Sequence, residues 1–252
     1  PVMSFSDYKG QPRQHVDHLG YLAGQVTNWW EQWRTTGTTE PPMWTFSAVG
    51  GTRAYNDPDS NMPYRNVTLS IPAVATQQAA LVTNALLYAD ATRSLVLETD
   101  IRLGAANWNG AGIITLLFGL QFSNGGTWNG GADLDFTPQI GFIRTNFNAG
   151  GITLSQATSS VALALSTTYR LRIEIIGSSN SSAAANRFTV RWYVNGTLLR
   201  SYTDAAVNLA ADLVRVRCNV VNGVTALAAA FQMGPIRLSW NHRLTQDRKS
   251  VV

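Results

Sequence analysis

Residues 168–176 read TYRLRIEII, and residues 187–196 read RFTVRWYVNG. In the first run Tyr169, Leu171, Ile173 and Ile175 alternate with Arg170, Arg172 and Glu174; in the second Phe188, Val190, Trp192 and Val194 keep the same beat. An apolar side chain at every second residue marks a strand with one face buried. Asn195-Gly196 follows at once. Both central residues of a type I′ turn need positive φ, so this dipeptide predicts a hairpin.

Working outward, SLVLETDIRL (94–103) puts Leu95, Leu97, Thr99, Ile101 and Leu103 on one face and Glu98, Asp100 and Arg102 on the other. GITLSQA (151–157), DLVRVRCNVV (212–221), AAFQM (229–233) and PIRLSW (235–240) add further strands. Between the runs lie the Gly- and Asn-rich stretches NWNGAG (107–112), SNGGTWNGG (123–131) and NFNAGG (146–151), and the Ser/Ala-rich GSSNSSAAAN (177–186). One-sided alternation with frequent turns predicts two packed antiparallel sheets and a mainly β chain. The Ala-rich stretch Ala73 to Ala89 fits either a helix or a strand.

The beginning of the chain has a different period. Val16, Leu19, Leu22, Val26, Trp29, Trp30 and Trp33 fall at three- and four-residue steps, and Pro12 suits a first turn, so Pro12 to Trp33 reads as an amphipathic helix. Its tryptophan-heavy stripe must dock on the chain's own sandwich, another copy or a different protein. TTGTTEPP (35–42) has linker composition. The expected organisation is an N-terminal arm over 1–42, a sandwich over 43–240 and a polar tail over 241–252.

Of the 252 residues, 45% are apolar and only 13% charged, the composition of a packed chain with part of its neutral surface covered. The net charge of +4 comes almost wholly from arginine, lysine occurring only at Lys9 and Lys249. No basic run tracks a nucleic acid, and no uncharged run reaches membrane-spanning length, so neither partner is expected. The single cysteine, Cys218, rules out a disulfide within the chain and suits a buried apolar position.

The strand 168–176, the loop after it and the hairpin Tyr193-Val194-Asn195-Gly196 resemble the concanavalin A-like (laminin-G-like) jelly-roll superfamily, over about Met43 to Trp240. The resemblance implies a two-sheet antiparallel jelly-roll sandwich behind the helical arm. The superfamily holds lectins, glycoside hydrolases, adhesion modules and bacteriophage virion domains, so the resemblance alone does not choose a function.

Some glycosidases of this fold carry E-x-D-x-x-E, whose glutamates flank the scissile bond. The nearest match begins at Glu98-Thr99-Asp100, but Leu103 stands where the second glutamate belongs, and only Glu31, Glu40 and Glu174 remain as other glutamates. No catalytic residue is therefore nominated, and the chain is expected not to be an enzyme. Asp133-Leu134-Asp135 puts two carboxylates on one strand face near amides, the beginning of a calcium site. Trp108, and Trp128 with Asn129, lie in Gly/Asn-rich loops, where flat rings beside amides suit a sugar ring or a protein interface, or fold back as loop plugs. Arg170, Arg172, Arg187, Arg191, Arg215, Arg217 and Arg237 all fall on the solvent phase of strands.

The leading expectation is a structural protein of a bacteriophage virion, a tail appendage or capsid decoration. It would be assembled in the host cytoplasm and bound through its arm to other virion proteins and to copies of itself. The alternatives are a lectin-like module that binds a cell-surface glycan and a divergent glycoside hydrolase.

Overall fold

The computed structural model describes residues 26–242, apart from 35–36, 85–86, 89–92, 105–113, 125–126, 137–141, 150–151, 163, 178–187, 205–212 and 223–227. The strands, numbered in chain order, form two sheets. The first sheet holds β1 (Val26–Glu31), β3 (Thr52–Asn56), β4 (Asn66–Ile71), β7 (Arg93–Leu103), β12 (Thr168–Gly177), β13 (Phe188–Val194), β14 (Thr197–Asp204), β16 (Ala229–Met233) and β17 (Ile236–His242). The second holds β2 (Trp44–Val49), β5 (Gln78–Thr83), β6 (Leu87–Tyr88), β8 (Ile114–Asn124), β9 (Thr127–Asp135), β10 (Phe142–Ala149), β11 (Ile152–Ala162) and β15 (Leu213–Asn222).

Neighbouring strands pair antiparallel in both sheets. The first sheet runs β14-β13-β12-β7-β16-β4-β3, with β17 also on β7 and β1 on β17; the second runs β11-β10-β9-β8-β15-β5-β2. Strands distant in sequence are thus neighbours in space, as in a jelly roll. The mainly β, two-sheet sandwich expected from the alternation is what the chain forms.

The alternating positions meet between the sheets. Leu95, Leu97, Ile101, Leu171, Ile173, Val190 and Trp192 face Leu116, Phe118, Leu120, Phe122, Val214, Val216 and Val220 in one core. Each such side chain contributes about 1.5–3 kcal/mol through burial. Cys218 lies in the same core, and burial pushes its thiol well above the usual range, which leaves it unreactive. The predicted hairpin forms between β13 and β14, with Asn195 at φ 50° and Gly196 at φ 79°. The Asn195 side chain accepts a 2.8 Å hydrogen bond from the Arg170 amide and ties the turn to β12.

The helical arm needs correction where it is described. Val26 to Glu31 is strand β1, paired with β17 from Val26↔Asn241 to Glu31↔Ile236, so these residues belong to the sandwich ahead of the boundary expected at residue 42. Trp33 is fully buried in the core of its own chain, against Trp44 (5.0 Å between ring centroids) and Tyr55 (5.7 Å). Its indole N–H donates to the Gly234 carbonyl at 2.7 Å. This bond falls where β7 exchanges one neighbour for another, β17 along residues 93–98 and β16 along 101–103. Trp29 packs on the same core, with Trp44 6.0 Å away, while Trp30 is partly exposed opposite Arg237. Trp29 and Trp33 are therefore internal packing, not a free attachment stripe. The side chain of Val26, and all of Val16, Leu19 and Leu22, lie outside the described residues. The undecided stretch 73–89 holds strands β5 and β6.

Candidate functional site

The outer face of the second sheet holds both buried carboxylates of the described residues, Asp133 and Asp135. Inward positions of β8, β9 and β15 supply core, so Gly119 and Gln121, Gly131, Asp133 and Asp135, and Arg215, Arg217 and Asn219 take the outer face. Pairing register sets them in rows. Gln156, Asn146, Asp133, Gly119 and Arg217 follow one another across five strands, from β11 to β15.

Within that row Arg217 reaches over Gly119 to Asp133, with 2.7 Å between Nη2 and Oδ2. A Cβ on Gly119 would lie 2.1 Å from the Ala132 carbonyl oxygen and 2.8 Å from Asp133 Oδ1, so only glycine leaves this passage open. Asp133 is wholly buried; burial raises its carboxyl pKa, and Arg217 opposes that rise without cancelling it. Its Oδ1 has no hydrogen-bond partner among the described residues, and neither do Ser123 Oγ, Arg217 Nε and Asn219 Oδ1 on the same three strands. Two residues on, Asp135 is paired by Arg144 from β10, whose Nε lies 2.9 Å from Oδ2. Arg144 also donates to Gln156 at 3.2 Å, and Gln156 donates to Asn146 at 2.9 Å.

The next row ends in an aromatic. Trp128 belongs to strand β9 and not, as expected, to a loop. Phe122 pairs with Gly130, yet Asn124 pairs with Thr127, so β9 holds one extra residue there. Such a bulge breaks the alternation and re-aims a side chain. The Trp128 ring lies under the Arg215 guanidinium, 3.9 Å from its centroid. Arg215 Nε donates to Gln121 at 2.8 Å, and the Gln121 amide donates to the Trp128 carbonyl at 3.0 Å, closing a triangle. Burial, and Arg217 beside it, lower the Arg215 pKa from its ordinary value.

Asp133 and Asp135 do share a strand face, but each is held by a guanidinium where a cation would sit. Among the described residues no group of three or more His, Cys, Asp or Glu comes together. Trp108 and the Asn129 side chain lie outside the described residues. The arginines read on the solvent phase of strands divide between the outer faces of the two sheets. Arg215 and Arg217 are on the second sheet, while Arg170, Arg172, Arg191 and Arg237 are on the first; Arg187 is outside the described residues.

On the first sheet, Glu98 lies between Arg172 (3.4 Å) and Arg237 (3.6 Å), Asp100 accepts from Tyr64 and from Arg170 (3.2 Å), and Glu174 accepts from Tyr193 (3.0 Å). Two adjoining shallow clefts of about 350 and 450 Å³ lie over these pairs, sharing Arg170 and Gly196. Leu103 is buried in the core, so the position of the missing glutamate points away from this face. Sequence reading missed Gly119, Gln121 and Arg144, whose roles depend on which strands become neighbours.

No family model and no curated protein matches the chain. Solved structures do. An endo-1,3-β-glucanase from Streptomyces sioyaensis is similar at TM-score 0.57 and 12% identity, over 85% of this chain and 96% of that one. A Bacteroides ovatus mixed-linkage glucan GH16 protein, in complex with a G4G4G3G product, gives 0.57 and 8% over 83% and 99%. The Emp47p carbohydrate recognition domain gives 0.51 and 10% over 82% and 91%. At such identities the likeness establishes the fold, a concanavalin A-like jelly roll. It also overturns the expectation that the chain is not an enzyme, because the glucanase has this architecture and the fold gives no ground for excluding catalysis.

Proposed function

We propose that the chain binds a glycan on the outer face of its second sheet. The observation that carries this reading is Trp128, bulged out of β9 and fixed by Arg215 and Gln121 beside a row of amides, carboxylates and guanidinium groups. A saccharide presents apolar C–H faces rimmed by hydroxyls. An aromatic ring next to fixed donors and acceptors answers both parts. Buried side-chain atoms of Ser123, Asp133 and Asn219 on the same strands have no hydrogen-bond partner among the described residues. Solved structures of the same fold include a carbohydrate recognition domain and a protein holding a glucan product, which agrees with this reading. The virion reading drew on a tryptophan stripe free to dock, and Trp33 of that stripe is buried in its own chain's core.

A glycan microarray followed by calorimetry on the best ligand tests the proposal. Trp128→Ala is expected to weaken binding roughly tenfold, the loss of about one aromatic contact. A folded protein that retains no glycan, or a Trp128→Ala variant with unchanged affinity, overturns it.

One observation favours a second reading, in which the same face also cleaves its glycan. Asp133 and Asp135 lie two residues apart on one strand, both buried, Asp133 ion-paired to Arg217 and Asp135 to Arg144. Glycoside cleavage divides acid and base roles between two neighbouring carboxylates. Release of new chain ends from a bound polysaccharide, lost in both Asp133→Asn and Asp135→Asn, would support it. Binding without release would leave the module reading alone.

A further inference from the structure

Among the described residues, the outer face of the second sheet holds three arginines, Arg144, Arg215 and Arg217, against two carboxylates, Asp133 and Asp135. Arg144 takes Asp135 and Arg217 takes Asp133. Arg215 is left without a carboxylate among the described residues, two positions along β15 from the like charge of Arg217. Its orientation is nonetheless fixed, because the indole of Trp128 supports its plane and Gln121 holds its Nε. Neither terminal nitrogen has a hydrogen-bond partner among the described residues, and the side chain as a whole is half-buried. A guanidinium held flat with its two-pronged end unpaired has the geometry of a fork for a planar or tetrahedral anion.

Resting on the glycan reading above, we propose that the bound glycan is anionic and that Arg215 selects it by pairing with an acidic group on the sugar. The shared chemistry is a multi-oxygen anion, which a uronic acid carboxylate or a sulfate ester provides. Arg215 accordingly acts as a specificity residue, while Trp128 carries affinity for any sugar face. Burial and the neighbouring Arg217 both disfavour the charged form of Arg215, and an anion brought to the fork supplies the compensation that the face lacks.

The test is calorimetry of the full chain with four oligosaccharides of matched length: a neutral β-1,3-glucan, an oligouronate, the same oligouronate with its carboxyl groups reduced to alcohols, and a sulfated galactan. Variants Arg215→Gln and Arg215→Lys are titrated beside the parent, with thermal unfolding confirming that each is folded. At least one anionic oligosaccharide is expected to bind roughly tenfold tighter than the neutral one. Arg215→Gln should remove that margin by weakening anionic binding roughly tenfold while weakening neutral binding by a clearly smaller factor through the lost support of Trp128, and Arg215→Lys should restore the margin only in part, because an ammonium is a point charge without a fork. Preference for the oligouronate that disappears on carboxyl reduction assigns the carboxylate; preference for the galactan assigns the sulfate. Equal or tighter neutral binding, unaffected by Arg215→Gln, overturns the inference and leaves the glycan reading standing. Absence of binding to all four by the folded chain overturns the inference, and the wider array then decides whether the glycan reading falls with it.

Discussion

Arg217 and Asp133 meet at 2.7 Å although an entire strand, β8, lies between theirs, and they do so over the bare backbone of Gly119. The ion pair therefore couples three strands, β9, β8 and β15, on the face where a ligand is proposed to bind. Asp133 is wholly buried and Arg217 is 19% exposed, so water screens the pair poorly.

Gly119→Ala should destabilise the chain. The new methyl would meet the Ala132 carbonyl oxygen, a backbone atom that cannot swing aside, and would press on Asp133. The cost is about 1–3 kcal/mol, typical of overpacking. For a chain of this size that corresponds to about 2–4 °C in Tm per kcal/mol, read by thermal unfolding. An unchanged Tm would mean that β8 can move away from β9.

Removing one partner of the pair should cost more than removing both. Asp133→Ala leaves the Arg217 charge without its counterion, an effect of about 3–5 kcal/mol for buried pairs. Asp133→Ala with Arg217→Met should recover a large part of that loss. A double-mutant cycle by urea denaturation measures the coupling, and strictly additive effects would show that the two side chains do not interact in solution.

Stability should depend on pH through Asp133. Its folded-state pKa is raised, chiefly by burial, so the folded state holds the proton more firmly than the unfolded chain does. The associated stability is fully present below the unfolded carboxyl pKa, about 3.9, and is lost as pH rises through the folded value. Asn cannot titrate. The stability of the parent relative to Asp133→Asn should thus fall as pH rises from about 4 and then level off. Urea midpoints of both proteins between acid and neutral pH check this, and a constant difference would refute it.

Trp33→Ala should destabilise the fold by about 3–5 kcal/mol, as for other large core aromatics. The side chain is fully buried, its N–H is bonded to Gly234, and its backbone sits at φ 49°, a conformation that the packing must sustain. Sedimentation of the variant should give the same mass as the parent. A change of mass with intact stability would return Trp33 to the role of an attachment residue.

Much of the sandwich is legible in the chain, because β7, β12, β13 and β15 each have one buried and one wet face, and that contrast prints a two-residue period. Asn195-Gly196 is legible for a local reason, the positive φ of both residues. The tryptophans were misread because Val26, Trp29, Trp30 and Trp33 satisfy a helical step, while adjacent Trp29 and Trp30 equally suit the two sides of a strand. Only pairing with β17, more than 200 residues away, decides between them. The site divides similarly. Asp133 and Asp135 can be nominated from their spacing alone, whereas Arg144 and the glycine gap become visible only when β10, β9, β8 and β15 lie side by side. Trp128 was assigned to a loop because a bulge leaves no periodic trace.

The pairing of β1 with β17 bears on how the molecule answers tension. Val26 lies opposite Asn241, so the outer ends of β1 and β17 sit together at one end of one antiparallel ladder. Pulled apart at Val26 and Asn241, that ladder is loaded one rung at a time and opens like a zip, without the resistance of many rungs sheared together. The Trp29 indole packed beside Trp44, and then the Trp33 indole bonded to the Gly234 carbonyl, are the catches that such a tear would meet in turn.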